Sequence, residues 1–129
     1  MAAMLPSTVL AASGFLDSCS DFTITELNGR QGRSMMLQAN CKVDSDNKNP
    51  TELDLNGCFG WESNACGFTY PPASGFTNDV GTCYNDYTGG EEHFGANFGC
   101  FGRCSGGGTA YNVFALDAYI GNDNGHLVC

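Results

Sequence analysis

The sequence predicts an all-β domain with small helical turns. Three observations carry this: short runs alternating apolar with polar residues, punctuation by Asn-Gly and glycine clusters, and eight cysteines in 129 residues. The length allows one compact domain or two small intertwined repeats. Leu, Ile, Val and Phe number only 25, close to the composition at which chains stay disordered. Cysteines that can staple the chain and 18 glycines that can turn it place it instead among small, secreted, disulfide-bonded domains. A formal charge of −9 repels phosphate backbones, which argues against nucleic acid as a partner. No apolar run approaches the roughly 18 residues that a membrane span needs.

In chain order, residues 2–12 (AAMLPSTVLAA) are apolar and nearly uncharged, with a small-residue cleavage pattern at Val9-Leu10-Ala11. Residues 1–12 therefore read as a signal-peptide remnant or a disordered leader, and 13–129 as the domain. Leu37–Cys41 and Glu52–Leu55 alternate as half-buried strands do. Asn28-Gly29, Asn56-Gly57 and Asn124-Gly125 are tight-turn signals. Asp44-Ser-Asp46-Asn-Lys48-Asn is a polar hairpin loop, because it lacks the fifth, sixth and twelfth residues of a calcium loop. Pro71-Pro72 and Gly106-Gly107-Gly108 interrupt any element, and Glu91-Glu92-His93 reads as a solvated loop before a strand at Phe94. No 12-residue stretch has helical periodicity.

The two halves repeat weakly. Leu55-Asn-Gly-Cys-Phe59-Gly60 and Leu116-Asp-Ala-Tyr-Ile120-Gly121 share one pattern, Leu-[Asn/Asp]-x-x-[Phe/Ile]-Gly. Phe15-x3-Cys19 and Leu37-x-Ala39-x-Cys41 have counterparts in Phe76, Cys83 and the run Phe94 to Cys100. Repeat one is about 13–60 and repeat two about 74–129. Some 50 residues bury little core alone, so the halves are expected to share one. Eight cysteines permit 105 pairings, which spacing does not decide. The only close pair is Cys100-x3-Cys104, which argues against zinc; neither a metal nor a cofactor is expected.

Ser13-Gly14-Phe15-Leu-Asp-Ser18-Cys19, Leu37-Gln-Ala39-Asn40-Cys41, Leu53-Asp54-Leu55-Asn56 and above all Leu116-Asp-Ala-Tyr-Ile120-Gly-Asn-Asp-Asn-Gly125-His-Leu127 resemble the cyanovirin-N homology family, in a secreted, fungal-like form with extra disulfides. The match spans 13–129 and is poorest over 59–93. It implies a small β lectin of two tandem repeats that exchange strands, with one disulfide per repeat, Cys19–Cys41 and Cys83–Cys100. Cys104 competes for Cys83, because an alternative register aligns Ala96-Asn97 with Ala39-Asn40 and sets Phe98 opposite Cys41. Cys58, Cys66, Cys104 and Cys129 stay unassigned. A monomer and a strand-exchanged dimer are both compatible with such repeats.

The resemblance also implies a glycan pocket where the chain's beginning and end meet. Matched by position, its residues are Gly14, Asp17 and Ser18; Lys42 and Asp44; and Asn122, Asp123 and Asn124. Short amides, carboxylates and hydroxyls suit the mixed donors and acceptors of a neutral sugar. The expected partner is an oligosaccharide or glycoprotein glycan, mannose-rich, bound without catalysis. Asn122 and Asp123 are expected on an exposed turn, where truncation alters stability little. The family's second pocket should be lost or rebuilt, because Trp61 stands where Asn122 stands in the other half; Trp61 either stacks on a sugar or joins the core.

Two rival readings remain. A secreted nuclease could use His93, His126, Glu91, Glu92 and Arg103, but the negative charge opposes a polyanionic substrate, and no Gly-x-Ser-x-Gly nucleophile motif is present. A non-enzymatic secreted protein could instead keep the fold and bind another partner. No Asn-x-Ser/Thr acceptor occurs with x other than Pro, so N-glycosylation is not expected.

Overall fold

The computed structural model describes residues 12–25, 33–85, 87–88, 91–92 and 97–129. Residues 1–11 of the leader, the Asn28-Gly29 turn, His93 and Phe94 lie outside them. The described residues form twelve strands and four 3-10 turns, with no α-helix. Strands β1 (Cys19–Ile24), β2 (Met36–Lys42) and β3 (Lys48–Asp54) form one antiparallel sheet. Strands β4 (Gly60–Glu62) and β5 (Gly67–Thr69) form a hairpin. In the second half β6 (Val80–Asn85), β9 (Phe98–Arg103) and β10 (Thr109–Phe114) form the matching sheet, and β11 (Gly121–Asp123) and β12 (His126–Val128) the matching hairpin. Between them β7 (Tyr87–Thr88) pairs with β8 (Glu91–Glu92), so these two glutamates belong to a short strand rather than the expected loop.

Each hairpin docks on the sheet of the other half. The Leu127 amide on β12 donates to Thr51 Oγ1 on β3 (3.2 Å), and Asn49 Nδ2 donates to the Gly125 carbonyl (2.8 Å). Reciprocally, the Phe68 amide on β5 donates to Asn112 Oδ1 on β10 (3.3 Å). The strands are thus exchanged between repeats within one chain.

The repeated motif found in the sequence makes this exchange hold. Its two copies are the 3-10 turns Leu55–Gly57 and Leu116–Ala118, and each clasps the 3-10 turn that opens a half, Phe76–Asn78 or Phe15–Asp17. Asn56 Oδ1 accepts from the Thr77 amide (2.9 Å) and hydroxyl (2.8 Å); Asp117 Oδ1 accepts from the Leu16 amide (2.8 Å). The carbonyls of Asn56 and Asp117 accept from the amides of Gly75 (2.8 Å) and Gly14 (2.7 Å), and those of Phe59 and Ile120 from Phe76 (3.1 Å) and Phe15 (3.0 Å). Gly75 and Gly14 have φ of 89° and 82°, a left-handed conformation that disfavours side chains. The motif's final glycine admits close approach. A Cβ on Gly60 or Gly121 would stand 3.0 Å from the carbonyl oxygen of Ser74 or Ser13.

Both halves fill one core. Phe15, Leu37, Leu55 and Phe59 are fully buried, and so are Phe76, Phe98, Leu116 and Ile120, each 61 residues further on. Phe68 of the first-half hairpin packs against Phe76, Phe98 and Phe114 of the second half, at ring-centroid distances of 4.8–6.0 Å. Burying each such side chain contributes about 1.5–3 kcal/mol. Neither half could do this alone.

Disulfides join Cys19–Cys41 and Cys83–Cys100, as the family resemblance implies, and also Cys58–Cys129 and Cys66–Cys104. The repeat register differs from the expected one. Cys19–Cys41 precedes the β1 bulge between Ser20 and Thr23, and its positional counterpart is Val80–Gly102. Cys83–Cys100 lies beyond the β6 bulge, where Cys100 is the counterpart of Ala39 and Phe98 that of Leu37. Neither sequence alignment of Phe98 therefore holds. Both halves carry the bulge and no residue is added: Cys83 stands at the place of Phe22, beyond the position of Cys19, which is why six residues separate Phe76 from Cys83.

Replacing Asn56 by Ala leaves the buried Thr77 amide and hydroxyl without their acceptor. Asn56→Ala is expected to destabilise the fold by about 1–3 kcal/mol in urea titration. A loss below about 0.5 kcal/mol, the level of an ordinary surface change, would contradict the clasp.

Candidate functional site where the chain ends meet

The clasp at Asp117 brings residues 14–18 beside 121–125, and β2 delivers the third segment. The Lys42 amide donates to the Ser18 carbonyl (2.9 Å). Asn122 then ties all three: its Nδ2 donates to Ser18 Oγ (2.9 Å) and to the Lys42 carbonyl (2.9 Å), while its Oδ1 accepts from the Gly125 amide (2.8 Å). The β11–β12 turn is the two-residue Asn124-Gly125, with φ of 51° and 92°, as a type I′ hairpin requires.

Gly14, Asp17, Ser18, Lys42, Asp44, Asn122, Asp123 and Asn124 thus all lie on the three segments that meet here. Their states differ. Asp17, Lys42, Asp123 and Asn124 are exposed, presenting a carboxylate, an ammonium, a second carboxylate and an amide. Ser18 and Asn122 are half-buried and bonded to each other. Asn122 is therefore not on an exposed turn, which corrects the sequence expectation. Its amide sits within β11 and holds the segments together, so its removal would unbond three segments at once.

Asp44 is exposed but turned into its own loop, where its carboxylate accepts from the Asp46 amide (2.9 Å), the Asn47 amide (2.8 Å) and Asn47 Nδ2 (3.1 Å). The Asn47 side chain, then the two backbone amides, hold the Asp44 carboxyl below the usual carboxylate range.

The equivalent place in the second half is built differently. The Arg103 amide donates to the Asp79 carbonyl (2.8 Å), matching Lys42 and Ser18. Trp61 replaces Asn122, and its Nε1 donates to the Arg103 carbonyl (2.7 Å) as Asn122 does to Lys42. The half-buried indole lies against Gly102 and meets Phe68 edge-on at 5.1 Å. A four-residue turn, Ser63–Cys66, replaces the type I′ turn and is fastened to the β9–β10 loop by Cys66–Cys104 and by Ser105 N donating to Ser63 O (2.9 Å). Trp61 thus keeps the structural bond and puts an indole where the first half has the Asn122 amide.

Sequence reasoning passed over Asn49 and Thr51, which seat the hairpin. Their alternation along β3 was the available signal. Among the described residues no group of three or more His, Cys, Asp or Glu side chains could hold a metal ion.

A strand-exchanged pair of β repeats, with polar side chains gathered where the chain ends meet, defines a class of small two-repeat domains. The CVNH domain family model matches residues 15–128, and the chain belongs to that family. Solved structures agree. The NMR structure of a Gibberella zeae CVNH protein is 19% identical, with a TM-score of 0.68 over 89% of this chain and 95% of that one. Microvirin, solved in complex with mannobiose, is 21% identical, with a TM-score of 0.66 over 90% and 97%. A MoCVNH3 variant in complex with (N-GlcNAc)4 is 16% identical, with a TM-score of 0.59 over 92% and 97%. No curated protein matches the sequence.

The Asp44 hydrogen bonds are strongest while its carboxyl is ionised. Their contribution is present above the unfolded carboxylate pKa and is lost as pH falls through the lower folded value. In an NMR titration Asp44 should titrate below an unperturbed aspartate, with the Asp46 and Asn47 amide protons shifting in step. An ordinary Asp44 titration, with those amides unmoved, would contradict the loop's construction.

Proposed function

We propose that this protein is a lectin that binds an oligosaccharide, mannose-rich in composition, by hydrogen bonding alone at the pocket where its ends meet. The observation that carries this reading is the Asn122 amide. It joins residues 14–18, 42–44 and 122–125 into one floor and leaves the tips of Asp17, Lys42, Asp123 and Asn124 facing outward. Vicinal sugar hydroxyls both donate and accept, and this rim offers both: Asp17 and Asp123 accept, Lys42 donates, and the Asn124 amide does either. Membership of the CVNH family supports the reading, as does the similar fold of microvirin with mannobiose. Four disulfides support export to an oxidising compartment.

With one such pocket, and each hydrogen bond contributing about 1 kcal/mol net, affinity for a single branched glycan is on the order of micromolar or weaker. The test spares Asn122, whose loss would also disturb the fold. Asp17→Ala with Asp123→Ala removes two exposed side chains and should leave the unfolding midpoint almost unchanged. Calorimetry against a branched mannose glycan should show heat for the parent and none for the double variant. Equal binding by both proteins, or no binding by the parent, would refute this site.

A further inference from the structure

The outer faces of the two three-stranded sheets differ in a way the fold does not require. On the first sheet this face is polar. Thr23 Oγ1 donates to Gln38 Oε1 (3.3 Å), Gln38 Nε2 to Glu52 Oε2 (3.3 Å) and Asn40 Nδ2 to Asp21 Oδ2 (3.2 Å). The counterparts of Thr23, Asn40 and Glu52 on the second sheet are Tyr84, Phe101 and Val113, with Tyr111 beside them. These four are 44, 45, 44 and 39% exposed, and they are four of the five large apolar side chains exposed among the described residues. The first sheet folds with polar groups at the same places, so packing does not demand aromatics here.

The rings form one patch. Phe101 and Tyr111 face each other across β9 and β10 at 4.9 Å, and Tyr84 lies 6.3 and 6.2 Å from them. Tyr111 lies against Gly99, the counterpart of Gln38, where any side chain would collide with the ring. Beside Phe101 opens a groove of about 910 Å³, lined by Thr82, Arg103, Thr109 and the backbone of Gly106–Gly108. Aromatic rings next to a concave row of hydroxyl, guanidinium and peptide donors match a ligand with apolar faces and a polar rim. A second copy of this chain would bring another −9 of charge against the first, whereas a neutral ligand meets no such repulsion.

We infer that this face is a second carbohydrate site, which takes a neutral β-1,4-linked gluco-configured oligosaccharide. In such sugars the ring substituents are equatorial, so the pyranose faces carry only C–H groups to stack on Phe101, Tyr111 and Tyr84. The hydroxyl rim then meets Arg103, Thr82 and Thr109. The site is separate from Asn122 and does not depend on binding at the chain ends; Trp61 borders it through the bond of its Nε1 to the Arg103 carbonyl.

Cellotetraose titrated into the isotopically labelled full chain tests this by NMR. Saturable shifts are expected in the ring protons of Tyr84, Phe101 and Tyr111 and in the amides of the β9–β10 loop. Tyr84→Thr with Phe101→Asn installs the first sheet's own residues and should weaken binding at least about tenfold. Asp17→Ala with Asp123→Ala should leave it unchanged. If the aromatic double variant loses its native spectrum, Val113→Glu, which installs the counterpart of Glu52, serves instead and should weaken binding likewise. No shifts with cellotetraose, shifts confined to other faces, or undiminished binding by the folded variant would overturn the inference. Equal affinity for β-1,4-mannotetraose would overturn the gluco assignment. Sedimentation showing a dimeric parent and a monomeric variant would make the face a self-association surface and overturn it too.

Discussion

The rest of the molecule depends on two crossed clasps, in which one side-chain oxygen from the end of each repeat accepts from the opening turn of a repeat. Asn56 holds Thr77, and Asp117 holds Leu16. Because Asp117 and Leu16 are 101 residues apart, the second clasp closes the chain on itself. Only then can β11–β12 lie on the first sheet and β4–β5 on the second, and only then do the phenylalanines of both halves share a core. The candidate pocket is a by-product of this closure: the segments that carry its polar tips are those that the clasp at Asp117 and the Asn122 amide force together.

Pseudo-symmetry fixes the backbone bonds and leaves the surfaces free to diverge. Lys42 to Ser18 and Arg103 to Asp79 are the same bond, and Asn122 and Trp61 donate to the same carbonyl position. An asparagine there makes a small polar link between segments, and an indole there sets a bulky ring in the same place. The same freedom operates on the outer sheet faces, polar in one half and aromatic in the other. Two disulfides reinforce the halves internally, while Cys58–Cys129 and Cys66–Cys104 fasten the exchanged hairpins. By constraining the unfolded chain, such closures typically contribute about 2–4 kcal/mol each, which matters for a domain with so few aliphatic residues.

Much of this was legible in the sequence, because it is local. The Leu-[Asn/Asp]-x-x-[Phe/Ile]-Gly motif marks both clasping turns, Asn124-Gly125 is the hairpin turn it reads as, and the alternation over 37–41 lies in β2 and that over 52–55 ends β3 and enters the Leu55 turn. What escaped was set by distance or by neighbours. Nothing around Asn56 reveals that its oxygen serves Thr77, 21 residues later. Cys83 and Cys100 stand at the places of Phe22 and Ala39, further along the ladder than Cys19 and Cys41, with no composition signal, so the repeat register was misjudged. Asn122 has the same sequence signature whether its amide is free or bonded to two chain segments. In β9 and β10 apolar residues fall on both faces, and the sequence does not say which face another element covers, so Phe101 and Tyr111 did not stand out as exposed.

Hydrogen exchange at the two clasped amides, Leu16 and Thr77, tests the central claim most directly. If the clasps bind both halves into one cooperative unit, the two amides exchange only through global unfolding. They then show the same opening free energy and the same denaturant dependence as the core strands. Fast exchange of Leu16 by local opening while Thr77 stays protected would mean that the chain ends separate without unfolding the domain, and would contradict the account.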